Sequence, residues 1–116
     1  MHTFMLVLAV LLLIAASAAA QEREAQYEIV MTKGAYEFQN GKYAEAVPYF
    51  EKALQLKPND RAALSSLGIA HAKAGNIEKA KELLGRAVKT DPANTQARFE
   101  LASILNKEGY TEQARK

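Results

Sequence analysis

Three glycines, Gly41, Gly75 and Gly109, stand 34 residues apart, and other positions keep the same interval. Ala46, Ala80 and Ala114 repeat, as do Ala53 with Ala87, Pro58 with Pro92, and Gly34 with Gly68, where the third copy has Ala102. A fixed period of this length means one supersecondary unit used several times, each copy burying its apolar face on its neighbours. The units run over residues 27–60, 61–94 and 95–116, and the last is incomplete.

Each unit reads as two helices. In the second, Leu64, Leu67, Ile69, Ala70 and His71 mark the first helix, which Gly75 ends as a residue free to adopt the left-handed conformation. Asn76 is placed to cap the next helix, where Ile77, Ala80, Leu83, Leu84, Ala87 and Val88 recur at three-and-four spacing until Asp91-Pro92. The first unit repeats the plan with Asn40-Gly41 and Lys57-Pro58. Nothing alternates with period two, so the expectation is an all-α chain: a helical-hairpin solenoid of two full repeats and a partial third.

The first twenty residues stand apart. Phe4 to Ala20 is a Leu/Val/Ile stretch that gives way to small residues and ends in Ala18-Ala19-Ala20 before Gln21. This layout predicts a secretory signal cleaved after Ala20. The n-region, Met1-His2-Thr3, lacks Lys and Arg, so an uncleaved membrane anchor at residues 4–20 is the alternative. Residues 21–26 are expected to form a short linker. Either way the chain is read as exported, periplasmic or secreted, which its lack of cysteine permits.

The strings GKYAEAVPYFEKALQLKPND and GNIEKAKELLGRAVKTDPAN resemble the tetratricopeptide repeat. The second unit reads Leu64-x2-Leu67-Gly68-x2-His71, then Ala80-x3-Leu84, then Pro92, and the first carries Gly34, Ala46-x3-Phe50 and Pro58 in the same places. Lys33 and Glu37 depart from the pattern, as suits a first helix with no earlier repeat to pack against. The resemblance implies a non-catalytic scaffold or adaptor whose first helices line a concave groove for a peptide or a partner's helix. It places Met31, Ala35, Phe38 and Gln39 of the first unit on that groove. Ser65, Ile69, Ala72 and Lys73 follow from the second, and Phe99, Ser103, Asn106 and Lys107 from the third. Met31, Phe38, Ile69 and Phe99 are then either anchors for an apolar or mixed peptide or residues packed between helices. The family's carboxylate clamp of Lys, Asn and Arg is not expected, because this chain has Met31, Ala35, Ser66, Gln96 and Glu100 where it is needed.

No other chemistry is suggested. His71 is the one histidine beyond the leader, and it lies five or six residues from Ser65 and Ser66, off their helix face, so neither nucleophile activation nor a metal site follows. Glu45, Glu51, Glu78, Glu82 and Glu112 fall at solvated helix positions, and the glycines do not cluster as a phosphate loop. No enzyme activity, cofactor or metal is expected. The 15 basic and 13 acidic side chains give a net charge of +2, which offers no support for a nucleic-acid partner. Lys79, Lys81, Arg86 and Lys89 crowd one helix, read as a solvated face or a patch for an acidic partner.

In the third unit, Gly109 is expected to end a helix carrying Leu101, Ile104 and Leu105, and Tyr110 and Ala114 to begin another. A solenoid stopping there leaves an apolar end, so a longer array, a short tail acting as cap, and a second copy covering the face are the three readings. The alternative to an adaptor is therefore a membrane-tethered or self-associating assembly subunit that docks through its C-terminal helices.

Overall fold

A computed structural model describes the backbone of residues 1–115 and the side chains of residues 1–110, so Lys116 and the side chains of Glu112 and Ala114 lie outside the described residues. Five helices follow in chain order: α1 His2–Gln39, α2 Tyr43–Leu56, α3 Arg61–Ala74, α4 Ile77–Thr90 and α5 Thr95–Arg115. There is no strand among the described residues. Consecutive helices pack on one another, and α3 also meets α5, so the helices stack as hairpins in an elongated molecule of 79 × 28 × 20 Å.

The turns follow from local chemistry. Gly75 ends α3 at φ 93°, and Gly41 takes φ 76° between α1 and α2, both left-handed conformations that cost other residues roughly 1–2 kcal/mol. The two Pro-containing turns are capped by side chains. Asp60 Oδ2 accepts from the Ala63 amide at 3.0 Å, and Asn94 Oδ1 accepts from the Ala97 amide at 3.0 Å. Each satisfies a donor left open in the first turn of the helix that follows.

The core is centred on α3, where Ala63, Leu64, Leu67, Ile69 and Ala70 are buried. Leu83 and Leu84 of α4 meet it from one side, Phe50 of α2 from another, and Ala97 and Ile104 of α5 close the end. A smaller cluster of Tyr27, Ala53 and Ala63 joins α1 to the end of α2 and the start of α3. The Tyr27 hydroxyl donates to Asp60 Oδ2 at 2.6 Å, Lys57 Nζ lies 3.9 Å from the Tyr27 ring centroid, and Lys57 also pairs with Glu24 at 2.8 Å. Burial and the Asp60 carboxylate together hold the phenol of Tyr27 well above its ordinary pKa, so it remains a donor.

Three features differ from the sequence reading. Residues 21–26 are not a linker but the middle of α1, because Gln21-Glu22-Arg23-Glu24-Ala25-Gln26 are mostly good helix formers without Gly or Pro. Gly109 does not end a helix, and α5 runs through it to Arg115. An interior glycine costs only about 1 kcal/mol relative to alanine. Gly41 and Gly75 each adjoin an asparagine, whereas Gly109 is flanked by Tyr110 and Glu108, whose carboxylate is tied to Lys81 of α4 at 3.0 Å. Finally, Asn76 occupies the N-cap of α4 without capping it, since its side-chain nitrogen lies 3.1 Å from His71 Nδ1.

Small residues set the helix spacing. A Cβ built on Gly68 would lie 2.9 Å from Cγ and Cδ2 of Leu84 and 3.2 Å from the Leu84 backbone nitrogen, whereas one on Gly85 would meet nothing within 4 Å. Gly68→Ala is therefore expected to destabilise by about 1–3 kcal/mol through overpacking, lowering Tm by several degrees. Gly85→Ala should instead stabilise by up to about 1 kcal/mol through helix propensity. Thermal melts of the two variants check the pair, and equal Tm values would contradict the spacing argument.

Candidate functional site

Two hollows lie along α3 and α5, the first bordered also by α1 and α2 and the second by α4. Ala35, Phe38 and Gln39 of α1, Phe50 of α2, Ser65, Ser66 and Ile69 of α3, and Gln96 of α5 line the first, about 160 Å³ in volume. It has an apolar floor and contains no charged residue. Phe50 reaches that floor because Gly34 has no side chain: a Cβ there would lie 2.6 Å from the phenyl ring. Phe38 is fixed at the edge by Tyr43, with ring centroids 5.0 Å apart and planes at 67°. The amides of Gln39 and Gln96 and the hydroxyls of Ser65 and Ser66 surround this floor, and none makes a side-chain hydrogen bond among the described residues.

The second hollow, about 150 Å³, is lined by Ala72 and Lys73 of α3, Ile77 of α4, and Glu100, Ser103, Ile104 and Lys107 of α5. Its character is mixed and charged. Ser66 to Lys73 on α3 and Gln96 to Ser103 on α5 are each seven positions, two helical turns or about 10 Å, so both helices run from the first hollow to the second.

The groove residues expected from sequence divide between these surfaces. Ala35, Phe38, Gln39, Ser65 and Ile69 line the first hollow, and Ala72, Lys73, Ser103 and Lys107 the second. Met31 is half-buried against the core, Phe99 is 71% exposed and lines neither hollow, and Asn106 borders a separate hollow with Leu105, Gly109 and Tyr110. Phe50, Ile77 and Ile104 were absent from that reading, because a helical period marks them as core and does not reveal that an edge stays open to the groove. Ser66, Gln96 and Glu100 were legible only as places where clamp residues are missing.

His71 is buried on the far side of α3, beneath α2 and α4. Its Nε2 has no hydrogen-bond partner and lies 4.0 Å from Glu51 Oε1. Burial pushes its pKa below the usual histidine range, with Glu51 opposing and Lys79 assisting, so the ring packs as the neutral form. The cations of α4 are largely engaged: Lys79 pairs with Glu82 at 3.6 Å, Lys81 lies between Glu78 and Glu108 at 3.2 and 3.0 Å, and Arg86 donates to Asn59 Oδ1 at 3.1 Å. Among the described residues, no group of three or more His, Asp or Glu side chains could hold a metal ion.

The tetratricopeptide repeat family model matches residues 37–92 and 72–116, and a second model of the same repeat matches residues 8–61. The chain belongs to the tetratricopeptide repeat family. It is similar to the TPR repeat-containing thioredoxin TTL4 of Arabidopsis thaliana, with 34% identity over 77% of this chain and 13% of that protein. The photosystem I assembly protein Ycf3 of Rippkaea orientalis is 38% identical over 60% of this chain and 42% of its own length. The chain thus spans less than half of either relative. Among solved structures, the first TPR of Spaghetti (RPAP3), bound to the HSP90 peptide SRMEEVD, superposes with a TM-score of 0.68 at 24% identity, over 72% of this chain and 66% of that one. The helical-hairpin solenoid expected from the 34-residue period is the fold observed.

Proposed function

We propose that this chain is an exported, non-catalytic scaffold that binds a protein or peptide partner in the groove formed by α1, α3 and α5. The observation that carries the reading is the first hollow: an uncharged apolar floor surrounded by four side chains with hydrogen-bonding capacity to spare. Such a combination suits a peptide side chain and its adjoining backbone. The solved TPR domain that carries an HSP90 peptide supports a peptide-sized occupant. That peptide ends in an acidic pair, valine and aspartate, but the first hollow here has no Lys or Arg to meet a terminal carboxylate.

Export rests on the N-terminal half of α1. Residues 1–26 are exposed, and the helix carrying them is long and apolar enough to cross a membrane. Cleavage after Ala20 would leave Glu24 and Tyr27, the residues that tie α1 to the turn between α2 and α3, on the retained part. The folded repeats therefore lose no packing partner. The intact mass of the protein recovered from its own cells is expected to be that of a chain beginning at Gln21, and a mass retaining residues 1–20 would mean a tethered form.

The second reading is an assembly subunit, favoured by Phe99, Leu105 and Tyr110 of α5, which are 71%, 51% and 66% exposed. The two differ in where substitutions act. Ser66→Arg projects a long cation into the first hollow and is expected to weaken binding of the co-purifying partner at least tenfold, about 1.4 kcal/mol, while Leu105→Asp leaves it unchanged. Titration calorimetry with the recovered partner checks this, and the opposite pattern would favour the assembly reading.

A further inference from the structure

We infer that the groove selects an extended, uncharged-then-acidic peptide: one apolar side chain seated in the first hollow and an aspartate or glutamate about three residues away, held at Lys73. The inference rests on the groove reading above and adds the chemistry of the occupant. A cavity of about 150 Å³ with apolar walls holds a benzene-sized guest, so the first hollow, about 160 Å³ with Phe38, Phe50 and Ile69 among its walls, fits one Leu, Met or Phe side chain. A charged group placed there would find no counter-ion and would lose its hydration, a cost of several kcal/mol.

The surroundings of that hollow favour an extended backbone over a helix. Peptide N–H and C=O groups need partners when they leave water, and a helix already pairs them internally. Gln39, Ser65, Ser66 and Gln96 supply unused donors and acceptors around the floor, which the open backbone groups of an extended peptide can use along its length.

The second hollow supplies the charge. Lys73 lines this hollow from α3 and is exposed, with its side chain available to solvent. An acidic side chain beside Lys73 gains a charge-assisted hydrogen bond, whereas a basic one meets like charge. Spacing completes the argument. Ser66 and Lys73 are two turns apart on α3, about 10 Å, which three residues of extended chain span at about 3.3 Å each.

The test is selection of a random twelve-residue peptide library, displayed on phage, against the protein purified from its own cells. Enriched peptides are expected to share Leu, Met or Phe at one position and Asp or Glu three positions away. Against Lys73→Glu the apolar preference should persist and the acidic one disappear or turn basic, and a synthetic peptide selected on the unaltered protein should bind that variant at least tenfold more weakly. Circular dichroism confirms that the variant, altered only at an exposed position, is folded. If the apolar preference survives without any acidic position, or Lys73→Glu leaves the selection unchanged, the inference fails while the groove reading stands. An acidic residue six or seven positions away would indicate a helical occupant and overturn the extended geometry. Peptides enriched equally on Ser66→Arg, or no enrichment at all, would remove the groove reading and the inference with it.

Discussion

The structure depends on how closely the two helices of a repeat approach at Gly34 and Gly68. Phe50 comes within 2.6 Å of where a Cβ on Gly34 would be, and Leu84 within 2.9 Å of where a Cβ on Gly68 would be. These large-on-small contacts recur at the 34-residue period, so they fix the same hairpin geometry in both full repeats. Close approach also brings the gain of dense packing, because dispersion contacts fall away within an ångström of a gap. The groove follows from this spacing. Phe50 lines the first hollow because Gly34 lets it through, so the contact that holds the first repeat together also shapes the surface proposed to bind.

A second constraint fixes where the folded unit begins. Tyr27, Lys57, Asp60 and Glu24 join α1 to the turn before α3, and Asp60 serves at once as acceptor for the Tyr27 hydroxyl and as the cap of α3. The Lys57–Glu24 pair lies at the surface, where such pairs contribute about 0–1 kcal/mol, so most of the attachment rests on Tyr27 and its buried neighbours. Upstream of Glu24 the helix makes none of these attachments. α1 thus changes character along its length, with mostly apolar side chains before Ala20 and residues that line the first hollow after Tyr27.

The fold was legible because repetition multiplies weak signals. Gly75 marked a turn by itself, and with Gly41 at the same offset it marked a period; Pro58 and Pro92 did the same for the second helix ends. Gly109 shared the offset and still lies within α5, since a glycine permits a turn without imposing one and Glu108 is tied to Lys81 along α4. The continuity of α1 through residues 21–26 was readable from helix propensity, but the change from apolar to charged side chains there suggested a boundary instead. Groove membership was harder. Nine of the expected positions line one of the two hollows, whereas Phe99, Met31 and Asn106 do not, because on the incomplete third unit and the first helix the register alone does not say which neighbour is present. His71 is a packed ring hydrogen-bonded only through Nδ1, and its partner is the asparagine expected to cap α4.

The claim on which the account turns is that partners engage the α1–α3–α5 face. The direct measurement is in-cell photo-crosslinking with a benzophenone amino acid placed at Gln39, exposed at the edge of the first hollow, and in a second variant at Lys52, exposed on α2. The account predicts discrete crosslinked partner adducts from position 39 and none from position 52. Adducts from position 52 alone would contradict it and move the working surface to the opposite side of the solenoid.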